Sequence, residues 1–187
     1  MEDLKKPPKL FSRRRKPVLQ LKVFAAGDSR VGKSCLIKRY CEKKFEDKYI
    51  ATIGIDYGVK TVEIGKHTVK INLWDSAGHA AYIDIRNEFY RDTQGLILVF
   101  DLSKKSTLSS CETWFQEAMS NGFDPSRGVV VIMGNKSDQP RAVSEEEGRK
   151  MAKKYNAAYF EVSAQSGHGV EASFNKLFTA LYKKYAQ

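Results

Sequence analysis

The apolar positions of this chain alternate between strand-like and helix-like runs from residue 18 onward. Short apolar or alternating segments predict strands, whereas apolar positions three or four residues apart predict helices. The predicted strands are residues 18–26, 57–64, 68–75, 95–101, 129–134 and 157–162. The predicted helices are residues 33–43, 107–121, 144–154 and 170–185.

Local signals refine this pattern and indicate the fold class. Gly65 and Lys66 separate two alternating strands and indicate a β-hairpin. Ser144 and Glu147 form a capping-box pattern at the start of a helix. Strand–helix alternation with one hairpin predicts an α/β fold: a mostly parallel six-stranded sheet, one antiparallel edge hairpin, and helices on both faces. Ligands of such sheets bind beyond the carboxyl ends of the strands.

The composition is that of one globular domain, since 42% of the 187 residues are hydrophobic. No stretch approaches the roughly 18 apolar residues of a membrane span, and the N-terminus lacks an apolar signal segment. The three cysteines (Cys35, Cys41 and Cys111) are an odd number without metal-ligand spacing, which favours a reducing compartment. We therefore expect an intracellular, cytoplasmic protein.

The formal net charge of +10 is uneven, because residues 1–17 contribute half of it. This basic, proline-containing stretch is too poor in apolar residues to form a core, so we expect a disordered tail before a domain at residues 18–187. The tail is either a solvated leader or a basic address for the nucleus or an anionic membrane surface. Outside the tail the positive excess is modest and base-stacking motifs are lacking, so specific nucleic-acid binding is not expected.

A phosphate-binding pattern follows the first predicted strand. Residues 27–34 fit G-x-x-x-x-G-K-S between a strand and a helix, the context that this motif needs. Successive backbone amides and the helix N-terminus then surround the phosphates, and Lys33 lies on them. The predicted phosphate-loop contacts are Ser29, Arg30, Val31, Gly32, Lys33, Ser34 and Cys35.

A magnesium ion bound through Ser34 needs further oxygen ligands. Asp75 ends a predicted strand, and the segment from Asp75 to Gly78 resembles the D-x-x-G element of GTP sites. In that element the aspartate holds Mg²⁺ and the glycine amide meets the γ-phosphate. An aspartate after a strand is more often a turn residue, so the assignment rests on the other elements nearby.

The motif at residues 135–138 selects the base. In the pattern N-K-x-D, carried here by Asn135, Lys136 and Asp138, the aspartate accepts hydrogen bonds from N1–H and the amine of guanine. Adenine lacks this donor pair, and a carboxylate left unpaired is costly. Residues Ser163, Ala164 and Gln165 resemble the S-A-K element beside the base, with glutamine in place of lysine.

Together these elements resemble the Ras superfamily over about residues 18–185, and the stretches 51–57, 74–78 and 98–101 are Rab-like. The resemblance implies the P-loop NTPase (small G-protein) fold with GTP or GDP and Mg²⁺ as ligands. It further implies that Thr52 joins the Mg²⁺ ligands and that Phe45 packs on the base. It also implies effector and regulator binding through a surface that contains Ile53, Ile55, Tyr57, Trp74 and Phe89. Ordinary packing is the competing explanation for Tyr57 and Phe89.

Within the Rabs, residues 39–43, 54–59, 86–90, 92–95 and 164–165 resemble the Rab-like GTPases that carry a C-terminal DnaJ domain. That group's association with ciliated cells leaves the ciliary base open as a location, beside the cytoplasm and the nucleus. Residues 182–187 contain no cysteine for prenylation, so we expect no lipid anchor and only weak contact of the basic tail with anionic membranes. We expect a monomer.

The sequence departs from the family at His79, which stands where glutamine orients the attacking water. Histidine can hold a water or act as a base, but it lacks the paired amide donor and acceptor of glutamine. His79 is therefore the candidate catalytic residue of a slow GTPase. Two hypotheses follow: a GTP/GDP switch with slow hydrolysis, or a non-catalytic interaction module that stays loaded with GTP. Arg30 is either a built-in arginine finger or a solvent-facing side chain.

Overall fold

A computed structural model describes residues 18–186, which form one six-stranded sheet flanked by helices. The strands are β1 (Leu19–Ala26), β2 (Ile55–Ile64), β3 (His67–Ser76), β4 (Gly95–Asp101), β5 (Val129–Asn135) and β6 (Ala158–Glu161). Their order in the sheet is β2-β3-β1-β4-β5-β6. Only β2 runs antiparallel to its neighbour, β3, and it lies at the edge. The predicted fold class is confirmed.

The structure describes five helices, of which four lie between strands and the last follows β6: α1 (Lys33–Glu42), α2 (Ile83–Asn87), α3 (Lys105–Ser120), α4 (Glu145–Lys154) and α5 (Val170–Tyr185). A 3₁₀ turn, Ala80–Tyr82, precedes α2. Neither the turn nor α2 was predicted, because the segment from Ala80 to Asn87 shows no sustained apolar period. The predicted basic tail, residues 1–17, lies outside the described residues.

The sheet separates two hydrophobic cores. One core packs side chains of β1, β3, β4 and β5 against α1 and α5, with Tyr40 stacked on Phe174. The other packs the opposite faces of β1, β4 and β5 against α3 and α4. Every residue of β4 is buried, as the continuous apolar run predicts for a strand covered on both faces. The two layers fix the sheet, so its carboxyl edge offers a rigid support for the loops that follow β1, β3, β5 and β6.

Helix α4 begins with the predicted capping box. The Glu147 amide donates to the Ser144 hydroxyl (3.2 Å), and the Ser144 amide donates to the Glu147 carboxylate (2.9 Å). Among the described residues, no helix combines the length and the apolarity needed to cross a bilayer.

Candidate functional site

Apart from Phe45 and Thr52, which precede β2, the predicted ligand-binding residues lie at or after the carboxyl ends of four strands of the sheet. The phosphate loop follows β1, Asp75 lies near the end of β3, Asn135 ends β5, and Ser163 follows β6. Because β1, β3, β5 and β6 run parallel, these loops meet at one edge. The fold therefore brings together sequence positions that are more than 130 residues apart.

The phosphate loop wraps around the Lys33 ammonium. Lys33 Nζ donates to the carbonyl oxygens of Gly27 (2.8 Å) and Asp28 (3.1 Å). The side chain is only 6% exposed, and burial lowers the pKa of Lys33 to about 8 despite the nearby carboxylates of Asp75 and Asp28. A buried cation whose hydrogen bonds go to backbone carbonyl oxygens gains from an anion such as phosphate.

Two glycines, one in this loop and one after β3, allow other segments to approach the loop closely. Gly32 has φ 95°, and a Cβ placed on it would lie 2.3 Å from Asn135 Nδ2. A Cβ on Gly78 would lie 2.3 Å from the amide nitrogen of Ser29 and 2.4 Å from the carbonyl carbon of Asp28. The segment after β3 therefore packs directly on the phosphate loop, which no residue with a side chain would permit.

Three oxygen-bearing side chains from three segments meet beside Lys33. The hydroxyls of Ser34 and Thr52 lie 2.9 Å apart, and Asp75 is buried with its Oδ1 atom lacking a hydrogen-bond partner. Burial raises the pKa of the Asp75 carboxyl, and the nearby Ser34 hydroxyl and Lys33 ammonium offset only part of that effect. An orphaned buried carboxylate oxygen calls for a cation.

This cluster fits Mg²⁺ by the chemistry of its donors. Hard oxygen atoms from one carboxylate and hydroxyls, completed by phosphate and water, are the usual ligands of this ion. Within residues 18–186, no group of three or more His, Cys, Asp or Glu side chains is placed to hold a metal. The candidate ligands are Ser34, Thr52 and Asp75, because their oxygen atoms lie together beside Lys33.

Asn135 joins the phosphate loop to the loop after β6. Its Nδ2 donates to the Val31 carbonyl (2.8 Å), and its Oδ1 accepts from the Ala164 amide (3.1 Å). The residue is only 1% exposed, so both bonds are shielded from water. Asn135 therefore fixes the distance between the phosphate end and the base end of the site.

The other two residues of the N-K-x-D motif are also anchored. Lys136 has φ 65° and donates to Asp101 Oδ2 at the end of β4 (2.6 Å). Burial alone would raise the pKa of Asp101, but the bonds from Lys136 and Ser103 outweigh it and hold that pKa below its ordinary value. The exposed Asp138 carboxylate accepts a hydrogen bond from the Ser163 hydroxyl. Because Asp138 is exposed, its carboxylate is accessible to a ligand.

Phe45 and the loop at residues 163–165 meet at Arg39, a residue that the sequence analysis did not assign to the site. The Arg39 guanidinium lies 5.9 Å from the centre of the Phe45 ring and donates through Nε to the Ala164 carbonyl (2.7 Å). It also donates to the carbonyl oxygens of Gln165 and Lys43. The predicted base-packing residue and the predicted base loop are thus brought together.

The remaining residues predicted for the phosphate loop occupy its outer side and its helix. Arg30 is exposed, has φ 67°, and places its guanidinium 4.8 Å from the centre of the Tyr49 ring. Ser29 approaches Gly78 through its backbone. Cys35 is half-buried in the first turn of α1, and burial, followed by the Asp75 charge, raises the pKa of its thiol.

His79 lies exposed at the start of the 3₁₀ turn. Its Nδ1 accepts a hydrogen bond from the Ala81 amide (3.2 Å), so the ring caps this turn. In the neutral ring, Nε2 therefore carries the hydrogen. The ring thus serves as a local cap, a role that the family's glutamine position does not predict.

Arg86 of α2 anchors the segment that follows His79, and nothing in the sequence pattern indicated it. It is only 4% exposed. Its Nη1 donates to the His79 carbonyl (2.9 Å), while Nε and Nη2 donate to the two oxygens of Glu117 on α3 (2.6 and 2.8 Å). Its guanidinium lies 4.4 Å from the centre of the Trp114 ring. Trp114 Nε1 in turn donates to the Asp28 carboxylate of the phosphate loop (2.7 Å).

Three aromatic rings form one cluster on the predicted partner surface. Trp74 lies between Tyr57 and Phe89, with ring centres 4.5 and 4.9 Å apart. Tyr57 is exposed, whereas Trp74 and Phe89 are half-buried. Ile53 nearby is 79% exposed and Ile55 is half-buried. Packing and surface exposure therefore coexist in this cluster.

Comparison with known proteins agrees with this geometry. The model of the Ras family matches residues 22–183. Relatives include DnaJ homolog subfamily C member 27 of Gallus gallus (44% identical over 169 residues) and of Homo sapiens (43% over 169 residues). DnaJ homolog subfamily C member 27-B of Xenopus laevis is 46% identical over 177 residues. The alignments cover 87–90% of this chain and 62% of each relative, so the chain spans less than two thirds of these curated relatives.

Proposed function

This chain belongs to the Ras family of small GTPases, and we propose that it is a Rab-like GTP/GDP switch with slow intrinsic hydrolysis. The observation that carries the proposal is the cluster beside Lys33. A buried carboxylate whose Oδ1 atom lacks a hydrogen-bond partner lies with two hydroxyls from separate segments, next to a loop shaped for phosphate. This arrangement is costly without ligands and is satisfied by a nucleotide with Mg²⁺.

Each end of the nucleotide has its own protein groups. Lys33 and the amides of residues 29–35 would hold the phosphates at the N-terminus of α1, where the helix dipole favours anions. Ser34, Thr52 and Asp75 would hold Mg²⁺, which supplies positive charge against the phosphate oxygens when bound. Asp138 would accept hydrogen bonds from guanine, and Phe45, Ala164 and Gln165 would enclose the base.

The switch itself would depend on the two segments that reach the γ-phosphate. Thr52 lies in the loop before β2, and Gly78 follows β3; the Ala77 amide next to Gly78 donates to the Gly54 carbonyl (2.8 Å). A nucleotide shifts a conformational equilibrium only through contacts that differ between the two states. The Thr52 hydroxyl and the Gly78 amide would make those contacts with GTP but not with GDP.

Slow hydrolysis is proposed from His79. Its Nδ1 is occupied by the Ala81 amide, which leaves one nitrogen, Nε2, to contact a water. Glutamine presents a donor and an acceptor on one flexible amide, and both are needed to orient a water between a backbone and a phosphate. His79 therefore offers a water one donor, Nε2–H, and no free ring acceptor.

The test is to extract the nucleotide from the purified protein, identify it, and time single-turnover GTP hydrolysis. Bound GDP and measurable turnover are expected, and a preparation that binds neither GTP nor GDP would refute the proposal. We predict that His79→Gln accelerates hydrolysis by about tenfold, since oriented donors of this kind contribute ~10²–10³ in rate at full effect. His67→Gln, at the start of β3 and at the opposite end of that strand from the site, is the matched control and should leave the rate unchanged.

A second candidate function is an interaction module that stays loaded with GTP. The observation in its favour is the double anchoring of His79, by its own ring to Ala81 and by Arg86 to its carbonyl. Retained GTP in the extract, with no turnover in either the wild type or His79→Gln, would favour the module over the switch.

Effectors and regulators are proposed to bind the surface of Ile53, Ile55, Tyr57, Trp74 and Phe89. We further propose that the protein is a monomer and that it is located in the cytoplasm, the nucleus or the ciliary base. The basic residues 1–17 would attach weakly to anionic membranes. The relatives are named as DnaJ homologs, and co-operation with a DnaJ-type partner is proposed by that similarity.

A further inference from the structure

Arg39 lies near the end of α1 and reaches two segments on either side of the predicted base pocket. On one side it donates to the carbonyls of Ala164 (2.7 Å) and Gln165. On the other it donates to the Lys43 carbonyl (3.0 Å) and lies over the Phe45 ring at 5.9 Å. One guanidinium thus connects the segment after β6, at residues 164–165, to the segment after α1, at residues 43–45.

The loop after β6 is held from two directions. The Ala164 amide donates to Asn135 Oδ1 (3.1 Å) in the interior. On the outer side, Arg39 donates to the carbonyl oxygens of Ala164 and Gln165. Three consecutive peptide units, from Ser163 to Ser166, therefore have a fixed orientation. The planar fork of arginine suits this task because its donors have fixed relative directions, which a lysine ammonium lacks.

Arg39 also bonds the position where this chain has glutamine, Gln165, in place of the lysine of the S-A-K element. A lysine at this position would pack over the sugar of the nucleotide. Gln165 is exposed and has a shorter side chain, so it offers less of this packing. Arg39 instead holds the backbone of Gln165 through its carbonyl. The pocket wall thereby keeps its place without the family's usual side chain.

We propose that Arg39 is the positioning residue of the guanine pocket, which holds the base loop and the Phe45 segment together and so slows nucleotide release. The inference rests on the proposed function, since it concerns the retention of a guanosine di- or triphosphate at the same site. The hydrogen bonds of Arg39 go to residues 43, 164 and 165, and none goes to Lys33 or to the candidate Mg²⁺ ligands. Its loss should therefore change dissociation of the nucleotide and not the chemical step.

The experiment compares full-length wild type, Arg39→Ala, Arg39→Lys and the control Lys38→Ala. Lys38 is the neighbouring cation on α1 and pairs with Glu46 beside Phe45, but it makes no bond to residues 163–166. Dissociation of a fluorescent GDP is followed after excess unlabelled GDP is added. Single-turnover hydrolysis of bound GTP is measured on the same preparations.

Arg39→Ala is expected to release GDP about tenfold to a hundredfold faster, because hydrogen bonds from a charged donor to three carbonyls are lost together. Arg39→Lys should fall between Arg39→Ala and the wild type, since a point donor keeps one of these bonds. Lys38→Ala should release GDP at the wild-type rate. The single-turnover hydrolysis rate should stay within twofold in every variant.

Equal release rates in wild type and Arg39→Ala, or equal acceleration by Lys38→Ala, would overturn the inference while leaving the proposed function intact. A fall in hydrolysis that matches the rise in release would also overturn it, as it would indicate general damage. Wild-type protein that binds no guanine nucleotide would overturn both. If Arg39→Ala fails to fold, the intermediate release rate of Arg39→Lys decides the matter.

Discussion

At the scale of single residues, Asp75 has the least satisfied position in the site, because its buried Oδ1 atom has no hydrogen-bond partner and burial raises its pKa. We predict that Asp75→Asn leaves the Mg²⁺-free protein equally stable, or up to about 2 kcal/mol more stable, since it removes a buried charge. The same variant should lose the stabilisation that Mg²⁺ adds in the presence of GDP. Thermal unfolding with Mg²⁺ and with a chelator measures both effects.

Asp56→Asn is the matched control for this prediction. Asp56 is exposed on β2, directly opposite Asp75 in the sheet register, and bonds only the neighbouring Tyr57 amide. It should keep the full response to Mg²⁺. A normal Mg²⁺ response in Asp75→Asn would mean that the ion is held elsewhere.

The residues named from the sequence and those found only in the structure differ in one physical respect. The predicted ones, such as Lys33 and Asp138, belong to local motifs whose chemistry depends on spacing along the chain. Arg39, Arg86 and Trp114 each depend on a partner between 31 and 126 residues away. Spacing in sequence does not encode such pairings, so their roles became evident only from the packed structure.

At the scale of elements, the capping box of α4 shows how a local signal stabilises a helix. Ser144→Ala should lower the free energy of unfolding by about 1 kcal/mol, because the Glu147 amide loses its acceptor. Ser110→Ala is the control: its exposed hydroxyl donates only to the carbonyl four residues earlier within α3. Chemical denaturation at pH 7 measures the difference, and equal effects of the two variants would contradict the prediction.

The same box has a defined pH dependence. Bonds from Lys105 and from Ser144 lower the pKa of Glu147 to about 2. A carboxyl with a depressed pKa stabilises the fold above its unfolded value and loses that contribution as the pH falls toward the folded value. The contribution of Glu147 should therefore be complete at neutral pH and fade between about pH 4.5 and pH 2.

Helix α2 depends on tertiary contacts for its stability, since a helix this short gains little from its own hydrogen bonds. We predict that Arg86→Met costs about 3–5 kcal/mol, because it leaves the Glu117 carboxylate, whose side chain is 12% exposed, without its cation. Adding Glu117→Gln should recover most of that loss. Denaturant unfolding of both single variants and the double variant yields the coupling energy.

Hydrogen exchange provides a second measurement on the same variants. Amides of residues 79–87 should exchange faster in Arg86→Met than in the wild type, while those of β4 should not change. Additive effects of the two substitutions, or unchanged exchange at residues 79–87, would show that the pair does not hold α2. Helix α2 could not be predicted from the sequence because it depends on contacts with Glu117 and Trp114, and not on an apolar periodicity within its own residues.

At the scale of the whole molecule, the sheet followed from the sequence because its central strands are buried on both faces. The apolar runs at Gly95–Asp101 and Val129–Asn135 have no alternative solvent-facing arrangement, and the hairpin turn set the one antiparallel pair among the strands of residues 18–186. The end of β6 was predicted less well, since Ala158–Glu161 is only four residues long and partly exposed. The bounds of edge strands and of short elements depend on contacts with residues distant in sequence, which a local hydrophobic pattern does not contain.

The site draws on four strand ends and α1, so its ligand should stabilise the entire domain. A ligand that binds only the folded state, at about a thousand times its dissociation constant, adds about 4 kcal/mol. We predict this gain for GDP with Mg²⁺ and almost none for ADP at the same concentration, as read by thermal unfolding. Asp138→Ala should remove the difference between the two nucleotides, and equal stabilisation by ADP and GDP in the wild type would contradict guanine selectivity.

The β2–β3 hairpin also governs which insertions this chain tolerates. Asp75 faces the site because β3 is held in register with β1, where it pairs with Ala25. Strand side chains alternate between faces, so one residue inserted within β3 would turn the Asp75 carboxylate to the opposite side of the sheet. The same insertion at Gly65 or Lys66 would only lengthen the loop at the far end. Length variation in natural variants of this domain should therefore concentrate at that turn and be absent from the ten residues that follow it.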